Sequence, residues 1–308
     1  MNELLQEINE PIAAAQGVRL LLWRDDLAHP DLPGNKARKL KYNLLAAQEQ
    51  GHRTLLTFGG AYSNHLAAVA TAGGLWGFRT IGLVRGDAPP AGTAPNPTLA
   101  RAAADGMALH YLDRSTYRRR AELEFLAEVQ ARFGPAYVLH EGGTNALALP
   151  GCAELVSEIR AETAFDALAV AVGTGGTLAG LLTGLRGPEE AIGVAALKNG
   201  GFLRTEIDAL TQQATGETFH NYSLKTDYHF GGYAKYSADL LAFIQQFRQQ
   251  HGVLLDPIYT GKLLFGVLDL IRQGHFARGS RVVAIHTGGQ QAWAGWQQRF
   301  GGPGPDEE

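Results

Sequence analysis

Short apolar runs alternate with helical stretches along most of this 308-residue chain, and this alternation restricts the fold more than any other feature. Strands are predicted at 54–60, 80–86, 108–112, 136–143, 167–176, 192–197 and 281–289. Helices are predicted between them, at 63–74, 117–132, 150–162, 177–186, 237–250 and 261–273. The run "ALAVAV" inside 167–176 has no polar face, which is typical of a strand buried on both sides. The pattern therefore predicts an α/β fold with parallel sheets covered by helices.

Glycines follow many of these strands. They occur as Gly59–Gly60, Gly142–Gly143, Gly173 with Gly175–Gly176, Gly200–Gly201 and Gly288–Gly289. A single pair is explained equally well by a tight turn. In open α/β sheets, however, ligands bind outside the carboxyl ends of the strands. Five such ends together favour one extended cofactor site.

The composition excludes several classes of partner. A net charge of −3 provides no field for nucleic acid or for an anionic membrane, so neither partner is predicted. The start "MNELLQEINEPIAAAQG" is acidic and lacks the pattern of a signal peptide, and no apolar stretch is long enough to span a bilayer. Cys152 is the single cysteine, which rules out an intramolecular disulfide framework and a cysteine metal cluster. We therefore expect a cytoplasmic protein.

The stretch "AVAVGTGGTLAG" combines a strand, a glycine-rich turn and a helix start, an arrangement that can bind phosphate. A nucleoside-triphosphate loop would need Lys-Ser/Thr where Thr177-Leu178 stand. A dinucleotide fold would need an acidic residue after the next strand, which ends at Lys198. Of the three kinds of phosphate ligand, a cofactor with a single phosphate remains. Taken alone, however, the loop is explained nearly as well by a bare glycine turn.

The stretch "FGGAYSNH" repeats this geometry, with Ser63, Asn64 and His65 in the first turn of the helix. A serine or asparagine there can simply cap the helix, or the first amides can receive a carboxylate while the side chains face a ligand. A hydrolase nucleophile elbow is excluded, because Ala61 and His65 stand where it needs glycines. Val69 follows His65 by four residues, so a helical zinc pair is absent and no metal site is predicted.

In "DLPGNKARKLKY", Lys36 stands between turn residues 33–35 and a helix predicted from Ala37 onward. Most lysines are solvated surface residues. A helix N-terminus and the neighbouring basic residues of 38–41, however, disfavour a further positive charge. A lysine with a neutral amine beside a single-phosphate site suggests pyridoxal phosphate as cofactor.

Five motifs resemble those of one known family: "PGNKARKLKY", "FGGAYSNH", "GTGGTLAG", "LLDPIYTGK" and "IHTGG". They are similar, in order, to those of the D-cysteine desulfhydrase / 1-aminocyclopropane-1-carboxylate deaminase family, and they extend from residue 34 to 289. The resemblance implies the two-domain, tryptophan-synthase-β-like fold (fold type II) and a homodimer. It further implies a smaller α/β domain at 51–147, a larger one formed by 1–50 and 148–308, and the cofactor in the cleft between them.

The resemblance also implies which residues bind the cofactor. Lys36 matches the Schiff-base lysine, and Asn64 matches the asparagine that bonds the phenolic oxygen. Thr287 matches the position near the pyridine nitrogen. The phosphate loop corresponds to Gly173, Thr174, Gly175, Gly176 and Thr177.

On the substrate side, Ser63 matches a serine beside the substrate, and the amides of Ser63, Asn64 and His65 match those that receive its carboxylate. Tyr259 matches a tyrosine next to the pyridine ring, and Tyr233 matches a second tyrosine of the active site. A small amino acid is thus the implied substrate. The α-proton would be removed by Lys36, by Ser63 or by a tyrosinate, and the residues leave that choice open.

Two positions bear on the reaction. Thr260 and Thr287 stand where the deaminases of the family have Glu and Leu, and the two hydroxyls favour β-elimination from D-cysteine or a related amino acid. The expected products are pyruvate, ammonia and sulfide. The alternatives are a 1-aminocyclopropane-1-carboxylate deaminase, which yields 2-oxobutyrate and ammonia, a racemase or dehydratase of the same fold, and a non-catalytic ligand-binding protein.

Overall fold

The computed structural model describes residues 3–90, 93 and 96–300, and the chain divides into two compact units. The first unit comprises the described residues up to Lys39 together with Asn145–Gln290. The second comprises Leu40–Thr144 and the described residues from Gln291 onward. The division expected from the sequence, with a smaller domain at 51–147, stays a prediction.

The strands are numbered along the described chain. They are β1 (Leu5–Ile8), β2 (Arg19–Trp23), β3 (Thr54–Gly60), β4 (Arg79–Arg85), β5 (Met107–Leu112), β6 (Tyr137–Leu139), β7 (Ala167–Val172), β8 (Glu190–Ala195), β9 (Tyr222–Lys225) and β10 (Arg281–Ile285).

The helices are numbered in the same way. They are α1 (Pro11–Gln16), α2 (Asn35–Glu49), α3 (Asn64–Trp76), α4 (Pro97–Ala104), α5 (Arg114–Arg118), α6 (Leu123–Phe133), α7 (Ala148–Glu162), α8 (Gly176–Gly184), α9 (Leu203–Thr215), α10 (Ala238–His251), α11 (Thr260–Arg272) and α12 (Ala292–Phe300). Among the described residues, no helix is long and apolar enough to cross a membrane.

The sheet of the first unit has the strand order β1-β2-β10-β7-β8-β9. Its pairings are parallel except that of β1 with β2. All six residues of β7 are buried, as its uniformly apolar sequence predicts. Parallel strands end at the same edge, so the loops after β7, β8 and β10 lie along one side of this sheet.

The sheet of the second unit has the order β5-β4-β3-β6, and its pairings are all parallel. Leu56, Phe58 and Leu83 form its core with the ring of Tyr117. The two sheets, parallel apart from the pairing of β1 with β2, confirm the predicted α/β fold. They also place the Ser63 turn at the carboxyl end of β3.

Three predicted strands end four residues earlier than the sequence suggested. β6 stops at Leu139 and is followed by a short 3₁₀ turn at Glu141–Gly143, in which Gly142 has φ +70°. Likewise β7 ends at Val172 and β10 at Ile285. The glycines that follow leave the extended conformation, so they belong to loops at the sheet edge.

The predicted helix 117–132 is wrong, because two helices, α5 and α6, occupy this part of the chain. The carboxylate of Asp113 accepts hydrogen bonds from the amides of Ser115 and Thr116 and so starts α5 early. Arg119 N–H then donates to the Thr116 carbonyl in a tight turn that ends this helix. Strands β1, β2 and β9 were not predicted.

Helices α7 and α8 of the first unit pack closely at Gly180. A Cβ at this position would lie 2.3 Å from Cβ of Cys152 and 2.9 Å from the Leu149 carbonyl oxygen. Gly74 provides a matched control, since it also lies in a helix, α3, and a Cβ there would meet no atom within 4 Å.

We predict that Gly180→Ala lowers the free energy of unfolding by about 1–3 kcal/mol through overpacking. Gly74→Ala should instead raise it by about 0.5–1 kcal/mol, because alanine has the higher helix propensity. Scanning calorimetry of both variants beside the parent measures the two changes. An unchanged melting temperature for Gly180→Ala would contradict the close packing.

Candidate active site

Lys36 lies in the first turn of α2, which begins at Asn35 rather than at Ala37. Gly34, at φ +76°, makes this entry possible, because a Cβ there would lie 2.0 Å from the Thr287 carbonyl oxygen. The Asn35 amide in turn donates to that carbonyl at 3.4 Å. The loop before α2 is therefore interlocked with the loop after β10, and this contact places Lys36 at the carboxyl edge of the first sheet.

The side-chain amide of Asn35 connects Lys36 to the glycine loop. Its Nδ2 donates to Thr177 Oγ1 at 2.8 Å, and its Oδ1 accepts from Lys36 Nζ at 2.8 Å. The Asn35 residue is only 9% exposed. Sequence reasoning assigned Asn35 to a turn, whereas in the structure it orients the lysine amine.

The amine of Lys36 has the electrostatics of a nucleophile. Burial lowers the pKa of Lys36 to about 8, and the nearby thiol of Cys152 and carboxylate of Asp256 oppose this shift. With this pKa about a tenth of the amine is neutral at pH 7, compared with less than about a thousandth for an ordinary lysine. A substantial population can therefore attack a carbonyl or accept a proton.

Lys39 is a second buried lysine at this site, and sequence reasoning considered it only as a neighbouring charge. It is 3% exposed, and its Nζ donates to Thr174 Oγ1 at 3.4 Å. Burial and then the charge of Lys36 lower its pKa to about 7. Its position three residues after Lys36 puts both amines on one face of α2, which is the sequence signal that could have revealed it.

The glycine loop connects β7 to α8. Gly175 precedes the helix at φ +81°, and a Cβ there would lie 2.7 Å from Cγ1 of Ile207. Gly176 and Thr177 form the buried first turn of α8. Amide groups at such a helix start, with a lysine at the loop, form a site for an anionic group.

Tyr259 is held against this loop. Asp256 Oδ1 accepts the amides of Ile258 and Tyr259, and Asp256 Oδ2 accepts the amide and the hydroxyl of Thr260. These bonds fix the backbone at the start of α11. A Cβ on Gly173 would lie 3.1 Å from Cε1 of Tyr259, so the ring rests on the end of β7.

Tyr233 extends the same site of the first unit. Its residue is 42% exposed, and its ring centroid lies 6.1 Å from that of Tyr259 at an interplanar angle of 64°. Contacts thus connect all the predicted site residues of this unit. These residues are Lys36, Gly173, Thr174, Gly175, Gly176, Thr177, Tyr233, Tyr259 and Thr287.

Ser63, Asn64 and His65 belong to the second unit. Ser63 caps α3, because its Oγ accepts from the Leu66 amide at 3.3 Å, and its own amide donates to the Gly60 carbonyl at 3.0 Å. The sequence allows Ser63 either to cap the helix or to face a ligand, and the structure shows the cap. A Cβ on Gly59 would lie 2.6 Å from Ser63 Oγ, so the glycine makes room for the hydroxyl.

The side chains of Asn64 and His65 have different surroundings. Asn64 Oδ1 is buried and has no hydrogen-bond partner among the described residues. His65 is 2% exposed, and its Nε2 lies 2.9 Å from Thr57 Oγ1. The Thr57 hydroxyl donates its proton to the Leu139 carbonyl, so Nε2 of His65 is the donor toward Thr57. The imidazole therefore belongs to the core of this unit.

Comparisons with known proteins show what this chain is similar to. The model of the family described as "Pyridoxal-phosphate dependent enzyme" matches residues 7–288. A Pyrococcus horikoshii protein that carries the provisional name 1-aminocyclopropane-1-carboxylate deaminase is 32% identical over 89% of this chain and 85% of its own length. The D-cysteine desulfhydrase of Yersinia pestis is 32% identical over 90% of this chain and 88% of its own length.

Among solved structures, one described as an ACC deaminase homologue superimposes with a TM-score of 0.84. It is 29% identical in sequence and covers 96% of this chain and 91% of its own. The chain thus resembles these relatives over nearly its whole described length.

The lowered pKa of Lys36 predicts a distinctive reactivity in the cofactor-free protein. We expect the rate at which a small acylating reagent modifies Lys36 to rise with pH and to level off above about pH 8, as the Lys36 amine loses its proton. Mass spectrometry of the peptide that contains Lys36 measures this rate. Lys41, an exposed lysine of the same helix, provides the reference for an accessible amine. A rate that continues to rise through pH 10 would contradict the burial of this amine.

Proposed function

Because this chain belongs to the family of pyridoxal-phosphate dependent enzymes, we propose that it catalyses β-elimination from D-cysteine or a related β-substituted amino acid. With D-cysteine and water, the products are pyruvate, ammonia and hydrogen sulfide. The two curated relatives described above support a small amino acid as the substrate class, since both carry names of enzymes that act on one.

The residues present fit the cofactor. Asn64 Oδ1 is a buried polar atom without a hydrogen-bond partner in the part of the chain that the structure describes, which costs free energy unless a ligand supplies one. In the first unit, a lysine amine of lowered pKa is joined by Asn35 to a glycine loop at a helix start. A cofactor with an aldehyde and a phosphate needs an amine to react with the aldehyde and a loop to bind the phosphate.

Each part of the cofactor has residues suited to it. Lys36 would hold it through Nζ, and the amides of Gly173–Thr177, with the ammonium of Lys39, would hold the phosphate. Asn64 would bond the ring oxygen, and Thr287 would stand near the ring nitrogen. When bound, pyridoxal phosphate supplies a conjugated ring that withdraws electrons from the α-carbon of an attached amino acid.

Lys36 is the base that the electrostatics favour for the α-proton. Its amine is partly neutral at neutral pH, and Asn35 Oδ1 orients it. Ser63 is less suited, because its Oγ already accepts the Leu66 amide. The hydroxyls of Tyr259 and Tyr233 would hold or move a proton at the β-substituent.

The substrate carboxylate would lie at the N-terminus of α3, where the helix dipole favours an anion. Asn64 and His65 contribute their backbone to this turn. Ser63 would contribute the proton of its hydroxyl, since its oxygen accepts from Leu66. Residue Gly59 keeps this turn open by lacking a side chain.

The choice of reaction rests on the surroundings of Thr260. Its hydroxyl donates to Asp256 Oδ2 at 2.6 Å and accepts from the Asp256 amide at 2.8 Å, and the residue has no exposed surface. The position therefore offers no acid for opening a cyclopropane ring. Sulfide needs no such help, because it is already a competent leaving group.

We predict that D-cysteine yields pyruvate and sulfide at least about tenfold faster than 1-aminocyclopropane-1-carboxylate yields 2-oxobutyrate, a ratio that corresponds to about 1.4 kcal/mol in activation free energy. Product assays on a panel of D- and L-amino acids with the cofactor-loaded protein measure both rates. Formation of 2-oxobutyrate alone would assign the deaminase reaction, and an inverted amino acid would assign a racemase.

Lys36→Met tests the site itself. We expect this variant to lose the covalent label that borohydride places on the parent and to lose product formation by at least about a thousandfold, since no other group replaces the amine. Lys41→Met, an exposed lysine in the same helix, should keep both. A label found on another lysine would overturn the assignment.

Lys39→Met tests the phosphate site. We expect about a 10- to 100-fold weaker affinity for pyridoxal phosphate, because a charge-assisted bond to the phosphate is lost. The affinity for pyridoxal without phosphate should change little. Equilibrium titration of the cofactor-free protein by absorbance measures both, and an equal loss with both ligands would contradict a phosphate contact.

The homodimer implied by the family resemblance and the cytoplasmic location expected from the composition are also part of this proposal. Light scattering of the purified protein tests the first and cell fractionation tests the second. A mass equal to that of one chain would remove the dimer from the proposal.

A further inference from the structure

The segment between β9 and α10 lies along helix α11. Tyr228 Oη donates to Asp269 Oδ2 at 2.9 Å, and the Phe230 ring lies 5.0 Å from that of Phe265, edge to face. Gly266 provides the space, since a Cβ there would lie 2.9 Å from Cδ2 of Tyr228. This segment carries Tyr233, so α11 determines where that tyrosine lies.

The backbone around Tyr233 is strained. Phe230 and Ala234 have φ values of +49° and +53°, which are unfavourable for residues with a side chain. Gly231 and Gly232 between them have φ +93° and +119°. Such a conformation persists only where surrounding contacts hold it.

Lys262 provides such contacts from the first turn of α11. The residue has no exposed surface, and its Nζ donates to the carbonyls of His229 and Gly232, both at 2.8 Å. A third bond reaches the Ala196 carbonyl at 3.3 Å, just after β8. An ammonium has three protons to donate, and these three carbonyls account for them.

We propose that Lys262 is a positioning residue for catalysis, which holds Tyr233 beside Tyr259 by binding one carbonyl just before the strained turn and one within it. The inference rests on the proposed function, in which Tyr233 faces the substrate. It adds a role for a buried charge that contacts neither the cofactor loop nor Lys36.

The choice of lysine at this position supports a specific role. Burial of an ammonium is unfavourable, and here it lowers the pKa of Lys262 to about 8, against the effect of Asp256. An apolar side chain would fill the same space without this penalty. The three donors of an ammonium, however, reach carbonyls from two separate segments at once.

Limited proteolysis tests the positioning without any need for turnover. Lys235 is exposed and directly follows the strained turn, so trypsin cleavage after it reports the order of this segment. We expect Lys262→Met to be cleaved there at least about fivefold faster than the parent, because local opening becomes more frequent.

Lys225→Met is the matched control, since it removes one positive charge from the preceding strand β9 and should be cleaved after Lys235 at the parent rate. A parental rate for Lys262→Met would overturn the proposal. Where the methionine variant does not fold, Lys262→Gln, which keeps part of the donors, should still be cleaved at least about twofold faster. A parental rate for that variant is equally contrary to the proposal.

A double-mutant cycle with Tyr233→Phe tests the connection to catalysis. We expect Tyr233→Phe to lower kcat/KM about tenfold in the parent but less than about threefold in Lys262→Met, because the second variant has already lost the placement of the ring. If the double variant loses kcat/KM by the product of the two single losses, Lys262 acts independently of Tyr233. If Tyr233→Phe has no effect in the parent, the role of Tyr233 in the proposed function fails, while the proteolysis result still decides the positioning.

Discussion

The planar amide of Asn35 is the contact on which the candidate site of the first unit depends. Its two ends are chemically different, so a single orientation serves both Thr177, as acceptor, and the Lys36 amine, as donor. The lysine amine is thereby directed by a rigid group rather than by its own flexible chain. Because Thr177 lies in the first turn of α8, the same amide joins the nucleophile to the anion site and makes two distant segments one chemical unit.

The start of α11 has a comparable importance for the tyrosines. The buried carboxylate of Asp256 satisfies the first amides of the helix and lies at the end where the dipole favours a negative charge. Tyr259 extends from this turn to the end of β7, and Lys262 extends from it to the neighbouring segment. One helix start therefore determines the position of two aromatic rings that come from different parts of the chain.

Local pattern was sufficient for seven of the ten strands in the described chain, the glycine loops and the position of Lys36 at a helix start, because each depends on residues close in sequence. The bridge formed by Asn35 could not be predicted from local pattern, since its partner Thr177 is 142 residues away in the sequence. The burial of Lys39 and Lys262 depends on packing that no periodicity encodes. The predicted helix 117–132 failed for a local reason, because the cap at Asp113 competes with the apolar pattern. The burial of the His65 side chain likewise depends on Thr57, in the strand before it.

The tight contact between α7 and α8 also determines the chemistry of the single thiol in the sequence. Cys152 has no exposed surface, and burial raises its pKa to about 11, so almost no thiolate forms at neutral pH. Oxidants and alkylating reagents act on the thiolate of accessible cysteines. We therefore expect the native chain to be inert to maleimide dyes, so that a cysteine introduced on the surface would be its one reactive thiol. Fluorescent probes can then be attached at a chosen position while Cys152 stays in place.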